Sequence, residues 1–215
     1  MAARTDAPPR VVLLDWDNTL HDSAAVNFEA LRRVLAGRGL QVTDDEYRRA
    51  YTTDYRELYR RLGLPDDRIP AASDQWRRLV ADAAPRLLPG AGDALARLAD
   101  AARRLGLVTT GPRALVERQL TRLGIEGRFS AVVYGDGGPP RPDPLPLHQV
   151  LTQLEATPRE AALCSDTAAD MRMARAIGVR AVGIATFAFG PDALRAAGAD
   201  ETAPSVADWV TAIGL

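Results

Sequence analysis

The sequence predicts an α/β fold, in which helices wrap a parallel sheet and an all-helical segment is inserted after the first strand. From residue 91 to the end of the chain, helical patterns alternate with apolar segments of strand length, and the connections are short. This alternation is typical of parallel sheets. Residues 11–14 form an apolar run of the kind found in strands buried on both faces. Between Leu20 and Arg103 the sequence shows only helical patterns, punctuated by prolines.

The composition is that of a globular protein without an obvious affinity for nucleic acid or membranes. The 215 residues are 47% hydrophobic and 26% charged, which allows one large domain or one domain with a sizeable insert. The net charge of −1 gives no general attraction to nucleic acid or to an anionic membrane. The apolar runs are too short to span a bilayer, residues 1–10 lack the apolar core of a secretory signal, and the single Cys164 cannot form an internal disulfide. We therefore expect a cytoplasmic protein.

The inserted segment is predicted to contain three helices. The first stops before Gly37, and the second begins at Thr43, which fits a capping box with Glu46. Tyrosines at a spacing of four residues predict that the second helix continues without a break and carries them on one side. The predicted helices are residues 23–36, residues 43–59 with Tyr47, Tyr51, Tyr55 and Tyr59, and residues 71–83.

The rest of the chain is predicted to alternate helices with strands. Its strands are predicted at residues 105–110, 130–135, 161–166 and 180–185. Its helices are predicted at residues 91–103, 112–123, 145–154, 168–177 and 192–197, with a last helix near Ala207.

Residues that could supply polar side chains or backbone N–H groups lie at or beyond the carboxyl ends of four predicted strands. They are Asp15, Asp17 and Thr19 after the first strand, Thr109, Thr110 and Gly111 at the end of the second, Arg141 in the loop after the third, and Asp166 and Asp170 at and after the end of the fourth. Because these ends meet at one edge of a parallel sheet, where ligands bind, we expect the groups to converge. Unpaired carboxylates there would repel each other and be costly to desolvate. Acids, one cation and hydroxyls together predict a site for Mg²⁺ and a phosphate group.

Four sequence motifs resemble those of the haloacid dehalogenase superfamily, specifically its phosphoglycolate phosphatase-like branch with a small helical cap. The motifs are Asp15-Trp16-Asp17-Asn18-Thr19 for D-x-D-x-T, Thr109 closing the next strand, Arg141 in Arg-Pro-Asp-Pro where a lysine is usual, and Ser165-Asp166-Thr167-Ala168-Ala169-Asp170 for G-D-T-x-x-D. The resemblance extends over almost the whole chain. It implies a Rossmann-like catalytic core of residues 1–20 and 86–215 and a helical cap domain of residues 21–85.

The resemblance implies Mg²⁺-dependent hydrolysis of a small phosphorylated metabolite. Asp15 would attack phosphorus and become an aspartyl-phosphate, and Asp17 would protonate the leaving oxygen and then activate water. Asp15, Asp166 and the backbone carbonyl of Asp17 would ligate Mg²⁺. Asp170 would orient metal-bound water or Arg141. The dehalogenase members lack the second carboxylate, since a halide leaves without a proton, and this chain keeps it.

The same resemblance implies which groups would hold the phosphoryl oxygens. Thr109 would bind them together with the backbone N–H groups of Trp16, Thr110 and Gly111. Arg141 would neutralise charge on Asp15 and on the phosphate. Arginine is bulkier, planar and forked where lysine is a point charge. All 27 basic residues of the chain are arginine, so we interpret Arg141 as drift with activity retained, the alternative being a weakened or inactive site.

Two smaller departures concern the motif backbone. Asn18 stands where glycine is usual, and asparagine is the next-best residue in a left-handed conformation. Ser165 adds a side chain where the backbone turns near the expected metal. His21 follows the first motif, where it could face the site or belong to a cap hinge.

Two other functions and the substrate stay open on the sequence alone. A phosphomutase would use the same acids but protect the intermediate from water, and a degenerate member would only bind a phosphorylated ligand or a partner. In the cap, residues 51–56 are candidates for substrate selection, among them Tyr51, Thr52, Tyr55 and Arg56, although a packed amphipathic helix explains them equally well. Neither the substrate nor the oligomeric state is predicted.

Overall fold

The protein, seen in a computed structural model, divides into two compact units. The structure describes residues 8–52, 55–186 and 188–215. The first unit, which we call the core unit, comprises the described residues up to His21 and those from Arg86 to Leu215. The second, the helical unit, is Asp22–Pro85.

The core unit is built on a parallel sheet, which has six strands in the described part of the chain. The strands are β1 Val11–Leu14, β2 Arg104–Val108, β3 Ala131–Val133, β4 Ala161–Ser165, β5 Arg180–Ile184 and β6 Glu201–Ala203. Their order is β3-β2-β1-β4-β5-β6, and all neighbours pair in parallel. The chain builds outward from β1 to β3 and then returns to build the other side from β4. This reversal creates a topological switch point between β1 and β4, where open α/β sheets bind ligands.

Ten α-helices and three short 3-10 helices lie in the described part of the chain. The helical unit contains α1 Ser23–Ala36, α2 Asp44–Ala50, α3 Tyr55–Arg61 and α4 Ile69–Asp82. The core unit contains α5 Ala91–Asp100, α6 Arg113–Leu123, α7 Leu145–Gln153, α8 Ala168–Ile177, α9 Pro191–Ala196 and α10 Val206–Ala212. None of these helices combines the length and apolar character that a membrane span needs.

Both faces of the sheet are buried, because its side chains alternate between two apolar cores. Val12 and Leu14 face the core formed with α5, α6 and α10, whereas Val11 and Leu13 face the core formed with α7, α8 and α9. Since successive side chains of a strand point to opposite faces, Asp15 continues the face of Leu13. The parallel sheet and its helical layers confirm the predicted Rossmann-like α/β fold.

The helical unit has an apolar core of its own. That core contains Leu31, Val34, Leu35, Val42, Tyr47, Tyr59, Leu64, Ile69 and Ala72. The predicted capping box at the start of α2 is present, since the Thr43 hydroxyl accepts from the Glu46 N–H and the Glu46 side chain accepts from the Thr43 N–H. Burial of these apolar side chains stabilises four short helices that would be marginal in isolation.

The prediction of one continuous helix through the four tyrosines is wrong. The helix ends at Ala50 because Tyr51 takes a non-helical backbone conformation, with φ −53° and ψ 133°. A second helix begins at Tyr55, whose side chain is 43% exposed, whereas Tyr47 and Tyr59 are buried. Thr53 and Asp54, which belong to the segment considered for substrate selection, lie outside the described residues.

The strand β6 has no counterpart in the sequence prediction. Its three residues are only half-buried and show no apolar alternation. They become a strand by pairing with β5, where Val182 lies opposite Glu201 and Ile184 opposite Ala203. Tertiary pairing therefore decides this element, and local propensity does not.

Candidate active site

The ends of three adjacent strands bring the predicted site residues to one edge of the sheet. Asp15 follows β1, Thr109 follows β2 and Asp166 follows β4, and β1 pairs with both of the other strands. The backbone N–H of Asp15 donates to the carbonyl of Cys164 at 3.0 Å, which extends the β1–β4 pairing by one residue. The residues therefore meet at the switch point of the sheet.

Asp15 is a buried carboxylate in a negatively charged environment. Its side chain is 6% exposed, and its Oδ1 accepts from Nη2 of Arg141 at 3.1 Å. Burial raises the pKa of Asp15 well above its usual range; Arg141 opposes this, and Asp170, Asp166 and Asp17 raise the pKa further. The ionised form of Asp15 therefore needs more positive charge than Arg141 supplies.

Arg141 connects two of these carboxylates through one guanidinium. Its Nη2 donates to Asp15 and to the carbonyl of Val108 at 2.9 Å, while its Nη1 donates to Oδ2 of Asp170. Burial alone would lower the pKa of Arg141, but the charges of Asp15 and Asp170 raise it above its usual value. The peptide bond from Arg141 to Pro142 is cis. Through these hydrogen bonds the arginine lies against both Asp15 and Asp170.

Asp166 and Asp170 are held at the start of α8. Asp170 is fully buried, and its N–H donates to the hydroxyl of Thr167, which caps the helix. Its Oδ2 accepts from Ser165 as well as from Arg141, while its Oδ1 has no partner among the described residues. Burial, together with the nearby charges of Asp170 and Asp17, raises the pKa of Asp166 to about 7, although Arg141 opposes the shift.

The loops after β1 and β2 together present a hydroxyl and two backbone N–H groups at this edge of the sheet. The Thr109 hydroxyl accepts from the Gly111 N–H at 2.9 Å, so this N–H, expected to bind phosphate, is used inside the loop. The N–H groups of Trp16 and Thr110 have no acceptor within the described chain. The arrangement offers two backbone donors and one hydroxyl to an incoming anion.

Gly135 supports this loop in a way that the sequence analysis did not find. Its N–H donates to the carbonyl of Gly111 at 3.1 Å. A Cβ at residue 135 would lie 2.1 Å from the Thr110 carbonyl oxygen, so only glycine permits this approach. A Gly/Pro-rich loop was visible in the sequence, but no pattern there shows which glycine touches another loop.

Asp17 differs from Asp15 in that its side chain is 45% exposed. It lies in a tight turn where the N–H of Asn18 donates to the carbonyl of His21 at 2.8 Å. Asn18 has φ 57°, as predicted for this position. The turn holds Asp17 at the rim of the site.

His21 and Trp16, at the two ends of this turn, form a stacked pair. Their ring centroids are 5.2 Å apart and the rings are nearly parallel. Nδ1 of His21 lies 3.4 Å from Oδ1 of Asp17, and the Trp16 indole donates to Gln119 of α6 at 2.9 Å. His21 is 2% exposed, and its Nε2 has no partner among the described residues. His21 therefore contacts Asp17, the general acid/base candidate.

The acidic residues suit a site for a hard cation that keeps part of its water shell, and not a site in which protein side chains enclose the metal completely. Asp15, Asp17, Asp166 and Asp170 repel one another electrostatically, and Arg141 is the cation that lies among them in the described residues. Within that part of the chain, no three His, Cys, Asp or Glu side chains form a ready ligand cluster. Mg²⁺ needs only one or two carboxylates and keeps several waters. Asp15 and Asp166 offer two carboxylates, and a divalent cation bound there would offset the excess negative charge.

The substrate-selection candidates belong to the helical unit. Tyr51, Thr52 and Tyr55 help to line a cavity of about 160 Å³ with Trp76 among its walls. Nε of Arg56 donates to the hydroxyl of Tyr55 at 3.3 Å. These contacts show aromatic packing within the unit and leave the selection role a prediction.

Fold and site together define a Rossmann-like α/β protein with an acidic candidate active site at the switch point of its sheet. A family model described as haloacid dehalogenase-like hydrolase matches residues 12–184. The chain is 31% identical to the plasmid-borne phosphoglycolate phosphatase of Cupriavidus necator, over 95% of this chain and 93% of that protein. It is 32% identical to the phosphoglycolate phosphatase of Shigella dysenteriae, over 96% of this chain and 93% of that protein.

Solved structures show the same fold. The haloacid dehalogenase-like family protein SP0104 of Streptococcus pneumoniae superposes with a TM-score of 0.76 at 22% identity, covering 95% of this chain and 98% of that one. CbbY of Rhodobacter sphaeroides, solved in complex with phosphate, gives a TM-score of 0.64 at 25% identity, covering 94% and 96%. The chain therefore belongs to the haloacid dehalogenase-like hydrolase family, and it is an enzyme of the phosphatase class.

Proposed function

We propose that this enzyme hydrolyses a small phosphate monoester through an aspartyl-phosphate on Asp15, with Mg²⁺ bound. The observation that best supports this proposal is the contrast between the two aspartates that follow β1. Asp15 is buried and fixed by Arg141, as a nucleophile needs to be, while Asp17 is 45% exposed and able to exchange protons with solvent. A site with both roles filled suits phosphoryl transfer to an ester oxygen, which must leave with a proton.

The proposed reaction has two steps, and the same two aspartates serve both. In the first, a carboxylate oxygen of Asp15 attacks phosphorus, the bond from phosphorus to the ester oxygen breaks, and Asp17 gives that oxygen its proton. In the second, water attacks phosphorus while Asp17 accepts a proton from it, and the bond from phosphorus to Asp15 breaks. Inorganic phosphate leaves and both aspartates regain their starting states.

Groups around Asp15 would stabilise the charge of the transferring phosphoryl group. The hydroxyl of Thr109 and the N–H groups of Trp16 and Thr110 are available as donors, and Arg141 lies 3.1 Å from the nucleophile. The N–H of Gly111 would orient Thr109, since it donates to that hydroxyl. Positioned donors and cations account for most catalysis of phosphoryl transfer.

Asp15, Asp166 and the backbone carbonyl of Asp17 would hold Mg²⁺. When bound, the ion supplies positive charge for the carboxylates and a Lewis acid for a phosphoryl oxygen. Asp170, in the first turn of α8, would orient the groups around the ion. Its Oδ1 has no hydrogen-bond partner among the described residues and is available for this role.

The substrate proposal follows the curated relatives. Because two relatives aligned over nearly the whole chain are named phosphoglycolate phosphatase, phosphoglycolate is the first substrate to test. The helical unit would act as the cap of this family, with Tyr51, Thr52, Tyr55 and Arg56 contributing to selection.

The deciding experiment measures phosphate release from p-nitrophenyl phosphate and from phosphoglycolate, with Mg²⁺ and with EDTA. We expect Mg²⁺-dependent release that disappears in Asp15→Asn and persists in Asp93→Asn, which changes an exposed aspartate of α5. Absence of release from both esters and from a wider panel of phosphorylated metabolites would overturn the proposal. Conversion of a sugar phosphate to its isomer without net release would identify a phosphomutase instead.

A burst experiment tests the two roles of Asp17. p-Nitrophenolate leaves without help from an acid, so Asp17→Asn should slow the second step more than the first. We expect one equivalent of p-nitrophenol per enzyme, followed by turnover lowered by about 10²–10⁴-fold. A uniform slowing without a burst would contradict a covalent intermediate that Asp17 helps to hydrolyse.

A further inference from the structure

One oxygen of Asp170 receives two side-chain donors. The hydroxyl of Ser165 and Nη1 of Arg141 both donate to Oδ2. Ser165 in turn accepts from the Thr167 N–H at 3.3 Å, and Ser165 and Asp170 are both fully buried. The Asp170 carboxylate is therefore fixed from two directions.

The guanidinium of Arg141 is divided between two carboxylates. Arginine and a carboxylate prefer to pair through two parallel hydrogen bonds, one to each oxygen. Here Nη1 is used by Asp170, and only Nη2 reaches Asp15, at Oδ1. The carbonyl of Val108 holds Nη2 as well, at 2.9 Å. Arg141 thus occupies one oxygen of Asp15 and leaves the other to react.

We propose that Ser165 is a positioning residue that prevents Arg141 from forming hydrogen bonds to both oxygens of Asp15. Its hydroxyl holds Asp170, Asp170 holds Nη1, and the second oxygen of Asp15 stays available for attack. This inference rests on the proposed function, in which Asp15 is the nucleophile.

This positioning by Ser165 is needed because the cation at residue 141 is an arginine. A lysine ammonium has one nitrogen and cannot form the two parallel bonds. The chain departs from the usual motifs at both positions, with arginine for lysine at 141 and serine for glycine at 165, and the structure joins both to the same oxygen. Ser165 and Arg141 are therefore a matched pair.

A double-mutant cycle measures this coupling. Steady-state turnover of p-nitrophenyl phosphate is compared for wild type, Ser165→Ala, Arg141→Lys and the double variant. We expect Ser165→Ala to lower kcat about tenfold with arginine present, and by less than about twofold with lysine, while KM stays nearly constant. The same loss in both backgrounds would overturn the proposal, because a merely structural role does not depend on the cation.

Ser205→Ala is the matched control. The hydroxyl of Ser205 donates to Asp208 at 2.7 Å and accepts the Asp208 N–H at 3.1 Å, so it makes the same kind of contact at the start of α10. It should leave kcat unchanged in both backgrounds.

A crystal structure of Ser165→Ala tests the geometry without turnover. We expect both Nη atoms of Arg141 on the two oxygens of Asp15; an unmoved guanidinium would overturn the inference. If wild type released phosphate from no ester, the proposed function would fail, yet this structure would still decide the positioning role. Ser165→Gly carries the same tests if the alanine variant does not fold.

Discussion

Arg141 donates to Asp15 at 3.1 Å through one nitrogen and to Asp170 through another, so a single guanidinium links the end of β1 to the first turn of α8. The side chain of Arg141 is only 11% exposed. The pair formed with Asp15 is therefore a buried one, and its loss is expected to affect folding as well as catalysis.

Two replacements of Arg141 test separately whether the site needs the positive charge of this side chain or the planar shape of its guanidinium. Arg141→Lys keeps the charge, and we expect activity to hold within about threefold or to rise. Arg141→Ala leaves buried carboxylates without a cation, and we expect activity to fall at least about 100-fold and the free energy of unfolding to drop by about 3–5 kcal/mol. Steady-state kinetics of both variants measures the change in activity, and denaturant unfolding measures the change in the free energy of unfolding. Complete loss in the lysine variant would show that the site depends on the guanidinium.

Asp15→Asn should stabilise the metal-free enzyme while removing its activity. Because burial holds the pKa of Asp15 well above its usual range, the ionised carboxylate is unfavourable in the folded protein near pH 8. We expect the variant's Tm to exceed that of wild type by about 2–4 °C in EDTA, as for about 1 kcal/mol in a protein of this size. A Tm equal to or below wild type would contradict this, and Asp93→Asn serves as the control.

The raised pKa of Asp166 predicts how the stability of the metal-free protein depends on pH. Its pKa is about 7 in the folded protein against an ordinary 3.8. Between about pH 4 and pH 7, Asp166 keeps its proton in the folded protein, whereas in the unfolded chain it has lost it. The contribution of Asp166 to the free energy of unfolding therefore falls as the pH rises through this range. We expect the decline to be shallower in Asp166→Asn, as measured by denaturant unfolding in EDTA at several pH values.

Mg²⁺ should reverse that trend, because the ion competes with the proton for the same carboxylates. The increase in Tm on adding Mg²⁺ should be larger at pH 8 than at pH 5.5 and should be small in Asp166→Asn. An increase independent of both pH and Asp166 would place the bound cation elsewhere.

Gly135→Ala should displace the loop that carries Thr109 and Thr110. The new Cβ would lie 2.1 Å from the Thr110 carbonyl oxygen, which is too close for any relaxed structure. We expect a loss of about 1–3 kcal/mol in stability and about tenfold or more in kcat. Gly138→Ala is the control, since nothing lies within 4 Å of its Cβ position. Equal behaviour of the two variants would show that the close approach of the loops is unimportant.

The sequence predicts the features that depend on local pattern. The buried strand at Val11–Leu14, the capping box at Thr43 and the left-handed conformation of Asn18 were all readable, because each follows from residue type and spacing. The parallel fold is confirmed for the same reason: strands buried on both faces are continuous apolar runs, and helices between them are periodic.

The features that escaped prediction depend on contacts between distant segments. β6 exists through its pairing with β5, and Gly135 matters through a neighbouring loop. In the sequence, Ser165 was only an unusual residue near the expected metal site. Its hydrogen bond to Asp170 and the bond from Arg141 to the same oxygen emerge only in three dimensions.

The chain leaves the core unit and re-enters it at neighbouring points. The Leu88 N–H donates to the Leu20 carbonyl at 2.8 Å, and His21 forms a bridge with Leu87. The helical unit is thus an insertion whose two ends lie side by side, joined by hydrogen bonds within the core unit. We expect that an insertion of different size could join the same two ends, changing which substrates enter while the strand ends keep their arrangement.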